Sequence, residues 1–260
     1  MIDLENFQNE FVKNFKKNTP FDYCVINNFF SNDLAKLLEK EFLEFNSPDW
    51  YEYRNPFEVK KTTNNWNHFK KNTYEVFQYL NSPFFVKFMS SLLGEELIAD
   101  PGLHGGGLHI HGDGGNLNPH LDYSIHPKNN LQRRLNIIIY ISENLNPEIH
   151  GGHLGFWSNK NMQPYELIKE IPPFFNSAVI FDTSQNSWHG LSKVLSLPKN
   201  IFRKSLAIYY LQKPKKNIST RHKALYSPRD NQINDESIKE LIKKRASDES
   251  FSEVYKVEDL

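Results

Sequence analysis

Cysteine is almost absent from this sequence, which has a single one, Cys24, among 260 residues. One cysteine cannot form an internal disulfide, so the fold must be stable without one. The first residues, Met-Ile-Asp-Leu-Glu-Asn, also lack the basic and apolar regions of a secretory signal. Both absences predict a protein of the reducing cytoplasm.

Long apolar runs and an excess of one charge sign are missing as well. The longest apolar stretches, residues 84–93 and 135–141, are much shorter than the ~20 residues that span a bilayer, so no membrane association is expected. The 31 basic residues balance 31 acidic ones. The short lysine runs form no basic stripe of the kind that binds nucleic acid. The remaining expectation is a soluble chain of one large domain, or of a core with extensions.

Two histidines and an aspartate stand out among the residues that are present. His120 and Asp122 are two positions apart, so on a strand or at its end both side chains project to the same side. His189 follows another strand-like run, residues 177–182, and a predicted turn over residues 183–187. Two histidines and one carboxylate are the ligand set that holds Fe(II) on one face and leaves the other open. The sequence therefore predicts an iron site near strand ends.

Two further strand-like segments supply residues for a pocket beside that site. Residues 133–141 are rich in β-branched and aromatic side chains, which favours a strand. Because successive side chains of a strand point to opposite faces, this strand would have one apolar face and one face of mixed polarity. In residues 202–210, Arg203 and Ser205 share a face while Lys204 points away. A guanidinium binds a carboxylate through two parallel hydrogen bonds. Arg203 with Ser205 therefore predicts a site for one carboxylate of a dicarboxylate, and Tyr140 is expected to donate another hydrogen bond to it. The mixed face of the first segment carries Arg134, Asn136, Ile138 and Tyr140, and its apolar face carries Leu135, Ile137, Ile139 and Ile141.

These motifs together resemble a known family. The segment from about His109 to Leu211 is similar to the core of the Fe(II)/2-oxoglutarate dioxygenases, particularly the prolyl 4-hydroxylase-like branch. The resemblance is carried by an ordered series: His120-x-Asp122, the strand that ends at Tyr140-Ile-Ser, Gly151-Gly152-His-Leu154-Gly-Phe156, the strand to Asp182, His189-Gly190, and Arg203-x-Ser205-Leu-Ala-x-Tyr-Tyr210.

The resemblance implies a fold and a set of site residues. The expected fold is mainly β with flanking helices, α+β, around a double-stranded β-helix of the jelly-roll or cupin-like kind. His120, Asp122 and His189 are expected to bind iron, and Arg203 to anchor the far carboxylate of 2-oxoglutarate. The expected catalytic residues are thus His120, Asp122, His189 and Arg203. The further cosubstrate contacts are Tyr140, Ser205, Asn136 and His111, with His109 as the alternative to His111 at the near end of the cosubstrate.

The implied activity is hydroxylation of an unactivated C–H bond with release of succinate and CO2. Fe(II), 2-oxoglutarate and O2 are the expected cofactors, with ascorbate as a candidate reductant. The substrate is expected to be a prolyl residue of a peptide or a small metabolite, and the sequence does not decide between them. Collagen-type enzymes have Lys where Arg203 stands and Thr where Leu154 stands, so this chain departs from them at both positions.

Two other functions share this barrel. One is a non-catalytic jelly-roll module that binds carbohydrate, and the other is a cupin-type metal enzyme that does not use 2-oxoglutarate. The order of Arg203 after the three metal ligands favours the dioxygenase, because neither a carbohydrate-binding module nor a cupin-type enzyme requires an arginine that binds 2-oxoglutarate. His109 and His111 share a strand face, which also allows a zinc site, although histidines along a pocket wall explain them as well.

The chain divides into three predicted parts. Residues 1–97 supply a strand and helices that pack on the barrel, 98–212 form the dioxygenase core, and 213–260 form an extension with a helix over 235–246, for dimerisation or capping. Residues 48–66 show no clear period and could be a substrate lid, or could pack Trp50, Tyr51, Tyr53 and Trp66 on the helices. In the loop 123–132, His126 and Lys128 are expected to face the substrate.

Overall fold

The computed structural model describes residues 1–183, 186–247, 249 and 251–257. Within these ranges the chain forms fourteen strands and six α-helices. The strands are β1 (Tyr23–Ile26), β2 (Tyr51–Asn55), β3 (Glu58–Thr63), β4 (Ile98–Ala99), β5 (Gly107–His111), β6 (Asn116–Leu117), β7 (His120–Leu121), β8 (Gln132–Tyr140), β9 (Leu154–Lys160), β10 (Gln163–Ile171), β11 (Ser177–Asp182), β12 (His189–Leu191), β13 (Arg203–Gln212) and β14 (Leu225–Tyr226). The helices are α1 (Leu4–Asn14), α2 (Asn32–Lys40), α3 (Lys71–Leu80), α4 (Pro83–Leu93), α5 (Pro147–His150) and α6 (Glu236–Ala246).

The strands form two antiparallel sheets. The larger sheet has the order β1-β11-β8-β13-β5-β3-β2, with β4 and β6 at its margins, and the smaller has the order β10-β9-β12-β7-β14. Side chains of both sheets meet in one buried cluster, in which Tyr140 and Phe181 of the larger sheet join Leu154 and Phe156 of the smaller. This is the double-stranded β-helix with flanking helices that the sequence predicts.

The outer face of the larger sheet packs against the helices. Leu135, Ile137 and Ile139 of β8 are fully buried in the main hydrophobic cluster together with residues of α1 to α4. Period-two alternation of the sequence predicts this apolar face, and the structure confirms it. The Tyr210 hydroxyl donates to the Leu80 carbonyl over 2.8 Å, which attaches β13 to α3. The opposite face of the sheet is thus left for a site.

One strand departs from simple alternation. Tyr210 of β13 lies opposite Leu135 of β8, but the next residue, Leu211, lies opposite Arg133, so Arg134 is an extra, bulged residue. Such a bulge moves the preceding side chain to the other face of the strand. The sequence placed Arg134 on the pocket face, and this was wrong. Arg134 pairs with Asp182 and Glu95, and Arg133 faces the pocket.

Residues 48–66, which show no clear sequence period, form the hairpin of β2 and β3 at the edge of the larger sheet. Ser184 and Gln185, in the turn predicted before His189, lie outside the described residues. In the described ranges, none of the helices has the length and apolar character that crossing a membrane requires.

The N-terminus of α3 is held by a side chain from another element. Glu41, just after α2, accepts hydrogen bonds from the backbone nitrogens of Asn72 and Thr73 at 3.1 and 2.7 Å, and from both of their side chains. The first turn of a helix has backbone N–H groups without helical partners, and Lys70 supplies no side-chain cap here. The Glu41 carboxylate therefore caps α3.

Replacing Glu41 with alanine should lower the free energy of unfolding by about 1 to 2 kcal/mol at neutral pH, as for other lost caps. Burial raises the pKa of Glu41, but the hydrogen bonds from Thr73 and Asn72 outweigh it and lower the pKa overall. The stabilisation is therefore complete above the unfolded-state pKa and is lost as pH falls through the lower folded-state value. Urea denaturation of both proteins at several pH values measures this difference. Replacement of the exposed Glu44 should change stability by less than about 0.5 kcal/mol, and an equal loss at both positions would contradict the capping role.

Candidate functional site

The three predicted metal ligands meet on two neighbouring inner strands of the smaller sheet. His120 of β7 and His189 of β12 are paired directly across the two strands, and Asp122 follows β7. The Nε2 atoms of His120 and His189 lie 3.8 and 3.7 Å from the two carboxylate oxygens of Asp122. One donor atom from each residue lies within 4.8 Å of the others. Residues far apart in the sequence thus present one compact donor set.

Backbone carbonyls fix the orientation of both imidazoles. Nδ1 of His120 lies 3.0 Å from the Asn118 carbonyl, and Nδ1 of His189 lies 2.8 Å from that of Ser187. Because a carbonyl only accepts, Nδ1 carries the proton and Nε2 keeps its lone pair for a metal. Burial lowers the pKa of His120 to about 3 and also lowers that of His189. Both rings are therefore neutral donors at neutral pH.

Arg133 neutralises the aspartate of this set. Its Nη1 lies 3.0 Å from Asp122 Oδ1, and its guanidinium is stacked between the rings of Tyr123 and Tyr209, at 3.5 and 3.3 Å from their centroids. Burial raises the pKa of Asp122, but Arg133 opposes it and the pKa falls to about 2. Arg221 donates two hydrogen bonds to the backbone carbonyl of Asp122, at 3.2 and 2.7 Å. The carboxylate is held ionised and in place.

Arg203 lies on β13 beside the donor set, fully buried at 4% exposure. Its Nε donates to the Gly152 carbonyl over 2.7 Å, and its guanidinium lies 4.8 Å from the centroid of the Tyr140 ring. Ser205 is two residues along the same strand face and lies opposite Tyr140 of β8 and His109 of β5. Lys204 points to the other side, towards Glu39. The structure therefore brings together the residues that the sequence assigned to a dicarboxylate.

Several buried polar atoms around this point have no hydrogen-bond partner of good geometry. They are Oδ2 of Asp122, both ring nitrogens of His111, both amide atoms of Asn136 and the hydroxyl of Tyr140. Buried polar groups in proteins are nearly always paired, so a cluster of unpaired ones indicates a place for a polar ligand. The donor set and these atoms fit a metal ion with a bound dicarboxylate.

A cavity of about 710 Å³ extends over the whole site, which is within the usual range for small-ligand pockets. All four residues of the predicted pocket face of β13 line this cavity: Arg203, Ser205, Ala207 and Tyr209. His109 and His111 lie on its wall, and Tyr140 is buried behind it in the core. The prediction that His126 and Lys128 face the substrate was wrong. His126 is buried, with its Nε2 3.7 Å from Asp100 Oδ1. Neither His126 nor Lys128 lines the cavity, although Pro127 and Asn130 of the same loop do.

Other cavity residues were missed at the sequence level. Glu58 and Lys60 come from β3 at positions i and i+2, a spacing that could have placed them on one face. Arg245 comes from the last turn of α6, and Tyr226 and Tyr255 from the segments that flank this helix. No local sequence pattern predicts that these C-terminal residues lie at the site. They reach it because their segments pair with β7 and β2.

The segment that carries the site matches a known protein family. Residues 106–216 match the model of the 2OG-Fe(II) oxygenase superfamily, a range that includes His120, Asp122, His189 and Arg203. This segment is a 2OG-Fe(II) oxygenase domain. The oxygenase requires Fe(II), 2-oxoglutarate and O2, as its family does, and the site fits this requirement. The family match favours a 2-oxoglutarate-dependent dioxygenase over the carbohydrate-binding module and the cupin-type enzyme.

Solved structures show the same fold. The oxygenase superposes on a Trichoplax adhaerens prolyl hydroxylase in complex with a hypoxia-inducible factor peptide, with a TM-score of 0.54 and 17% identity over 80% of this chain and 90% of the other. A Pseudomonas putida prolyl 4-hydroxylase gives 0.55 and 14% over 78% and 100%. A Phytophthora capsici prolyl 4-hydroxylase gives 0.53 and 19% over 95% and 77%. No curated protein sequence matches the oxygenase.

Proposed function

We propose that His120, Asp122 and His189 hold Fe(II) and that Arg203 binds the far carboxylate of 2-oxoglutarate. The observation that carries the proposal is the orientation of the two imidazoles, whose Nε2 atoms face the Asp122 carboxylate while each Nδ1 is bonded to a backbone carbonyl. An open coordination face beside a buried arginine is the arrangement that 2-oxoglutarate chemistry needs.

The remaining polar groups of the pocket complete the cosubstrate site. Ser205 and Tyr140 lie opposite each other beside Arg203 and are proposed to bind the same carboxylate. Burial lowers the pKa of the Arg203 guanidinium, a cost that a bound carboxylate would relieve. Asn136 and His111, whose polar atoms are unpaired, are proposed as further contacts nearer the metal.

The proposed reaction is hydroxylation of an unactivated C–H bond. O2 is the oxidant, and bound Fe(II) and 2-oxoglutarate would activate it: one oxygen atom enters the C–H bond of the substrate and the other enters succinate as CO2 is released. The protein keeps Asp122 ionised through Arg133, fixes the two imidazoles through carbonyls and excludes water from the buried face. The candidate substrates are a prolyl residue of a peptide, because the similar Trichoplax structure is a prolyl hydroxylase with a bound peptide, and a small metabolite, as the covered cavity suggests.

The three parts of the chain have separate proposed roles. Residues 98–212 are proposed to be the catalytic core, 1–97 its support, and 213–260 a cap over the cavity. The backbone of Arg54 in β2 exchanges hydrogen bonds of 2.8 Å with Tyr255 and Val257, which supports capping over dimerisation. A cytoplasmic location is proposed from the single buried cysteine, Cys24, which suits a reducing compartment.

The proposal is tested by anaerobic titration of Fe(II)-loaded protein with 2-oxoglutarate. Chelation should produce a visible metal-to-ligand charge-transfer band with one equivalent bound per site. The band should saturate, and succinate should form when O2 is admitted with a substrate. Bound iron without any such band would contradict the proposal and return the choice to a cupin-type enzyme.

Replacing Gly152 with alanine should weaken 2-oxoglutarate binding about tenfold. Gly152 has φ of +84°, and a Cβ there would lie 3.1 Å from Cδ of Arg203, so the arginine must shift. Gly151 has a similar φ of +72° but no atom within 4 Å of the added Cβ, which makes Gly151→Ala the matched control. Both variants should lose about 1 to 3 kcal/mol of stability through backbone strain. Only Gly152→Ala should raise the dissociation constant in the anaerobic titration, and equal effects would remove the role of the contact with Arg203.

A further inference from the structure

A second charged cluster lies in the cavity on the side away from β8. It consists of Glu58 and Lys60 of β3 and Arg245 of α6, all of which line the cavity. Lys60 Nζ is 3.0 Å from Glu58 Oε1, and Arg245 Nη2 is 3.7 Å from Glu58 Oε2. Glu58 is 1% exposed and Arg245 is 8% exposed. We call these three residues the Glu58 cluster.

The Glu58 cluster has one cation in excess. Burial raises the pKa of Glu58, but the charges of Lys60 and Arg245 outweigh it and the pKa falls overall, so the carboxylate is ionised. Two cations therefore share one anion. The pairing with Arg245 is loose, since Oε2 of Glu58 and Nε of Arg245 have no hydrogen-bond partner. An excess buried cation is unfavourable unless an anion joins it.

The rest of the cavity does not supply that anion. Among the described residues that line it, the carboxylates are Glu58 and Asp122, and Asp122 is already neutralised by Arg133. Fe(II) and the dianion of 2-oxoglutarate together add no net charge. The far carboxylate of 2-oxoglutarate would pair with Arg203, so the excess cation of the Glu58 cluster stays unbalanced in the loaded site. A negatively charged group on the substrate would balance this cation.

The register of the sheet places Lys60 near the metal side of the cavity. Lys61 of β3 pairs with Ile110 of the antiparallel strand β5. The same register puts the preceding residue, Lys60, beside His111 of β5, and His111 pairs on its other side with Arg203 of β13. Lys60 also lines the same cavity as His120 and His189. A ligand held by Lys60 would therefore lie next to the reacting centre and beside 2-oxoglutarate.

The C-terminal segment covers this side of the cavity. The Arg245 guanidinium lies 4.9 Å from the ring centroid of Tyr255, and the side-chain nitrogen of Asn55 in β2 donates to the Val254 carbonyl over 2.8 Å. A polypeptide substrate would need an open groove on the side of the cavity that Tyr255 and Arg245 line. The cover favours a molecule small enough to fit within the 710 Å³ cavity alongside 2-oxoglutarate.

We infer that the substrate of this oxygenase is a small anion whose acid group, a carboxylate or a phosphate, binds between Lys60 and Arg245. The inference rests on the proposed function, because it assumes that 2-oxoglutarate occupies the site beside Arg203. It names Lys60 and Arg245 as residues that determine substrate specificity.

The test uses the full chain loaded with Mn(II) and saturated with 2-oxoglutarate. The probes are inorganic phosphate and acetate, whose ³¹P and ¹³C relaxation is accelerated when they bind near the paramagnetic ion. At least one probe should show saturable acceleration in the natural protein, and Lys60→Met should reduce its affinity at least tenfold. Acceleration of phosphate alone indicates a phosphorylated substrate, and acceleration of acetate alone a carboxylic acid.

Lys61→Met is the matched control, because Lys61 is the next residue on the strand and bonds to the Phe45 carbonyl outside the cavity. It should leave probe binding unchanged. Lys60→Met keeps Glu58 paired with Arg245, so it should fold, and its 2-oxoglutarate affinity should stay within twofold of the natural value. Absence of probe binding in the natural protein overturns the inference, as does equal binding in Lys60→Met.

Two further results separate the inference from the proposed function. Failure of the natural protein to bind 2-oxoglutarate contradicts the proposed function itself, whereas normal 2-oxoglutarate binding without anion binding contradicts only the anionic substrate. A blocked, uncharged prolyl peptide that stimulates 2-oxoglutarate turnover equally in the natural protein and in Lys60→Met would also overturn the inference in favour of a peptide substrate.

Discussion

Replacing Asp122 with alanine should abolish iron-dependent turnover and also destabilise the protein. The carboxylate is the single anionic member of the donor set, so its loss removes a ligand and the charge that balances the metal. The same change leaves Arg133 buried at 2% exposure without its ion-pair partner. Breaking a buried pair in this way costs about 3 to 5 kcal/mol. Metal analysis, succinate release and urea denaturation measure the three effects.

A second substitution separates the two causes. In the double variant Asp122→Ala with Arg133→Met, the unpaired cation is gone, so most of the lost stability should return. Turnover should remain absent, because the ligand is still missing. Arg133→Met alone should fold and bind iron more weakly than the natural protein, since Asp122 then loses the contact that orients it. Full iron-dependent activity in any Asp122→Ala background would rule out the proposed ligand set.

Replacing Arg203 with alanine should raise the dissociation constant for 2-oxoglutarate strongly while the iron site stays intact. Truncating one partner of a buried charge pair costs about 2 to 5 kcal/mol, or roughly 30-fold to several thousandfold in affinity. Arg203 donates its hydrogen bond to the Gly152 carbonyl and not to a residue of the His120–Asp122–His189 donor set, so Fe(II) should bind normally. The charge-transfer band in the anaerobic titration reports the loss directly.

Lys204→Ala is the control for this variant. Lys204 is the next residue on β13 but points to the other face, where it pairs with Glu39 at 3.4 Å. Its replacement should leave the affinity for 2-oxoglutarate within twofold. Arg203→Lys keeps the charge but loses the two parallel hydrogen bonds, so its affinity should lie between those of the natural protein and Arg203→Ala. An unchanged 2-oxoglutarate affinity in Arg203→Ala would mean that the cosubstrate binds elsewhere.

The sequence predicted the apolar side of the sheet more accurately than its polar side. Ile137 and Ile139 are core residues in the structure because period-two alternation is a property of any regular strand. The same alternation placed Arg134 in the pocket, where the structure has Arg133. A bulge depends on how β8 pairs with β13, which is information that the strand's own residues do not contain.

The sequence by itself determined the chemistry of this protein: which side chains are available as metal donors, and that Arg203 and Ser205 lie on one strand face. These features follow from residue type and short-range spacing, which local backbone geometry converts directly into direction. Only the tertiary structure decided that Arg133 neutralises Asp122 and that Lys60 and Arg245 both pair with Glu58 inside the cavity. Residues 60 and 245 come together because the C-terminal segment crosses β2, and contacts between such distant parts of a chain leave no periodic signal in the sequence.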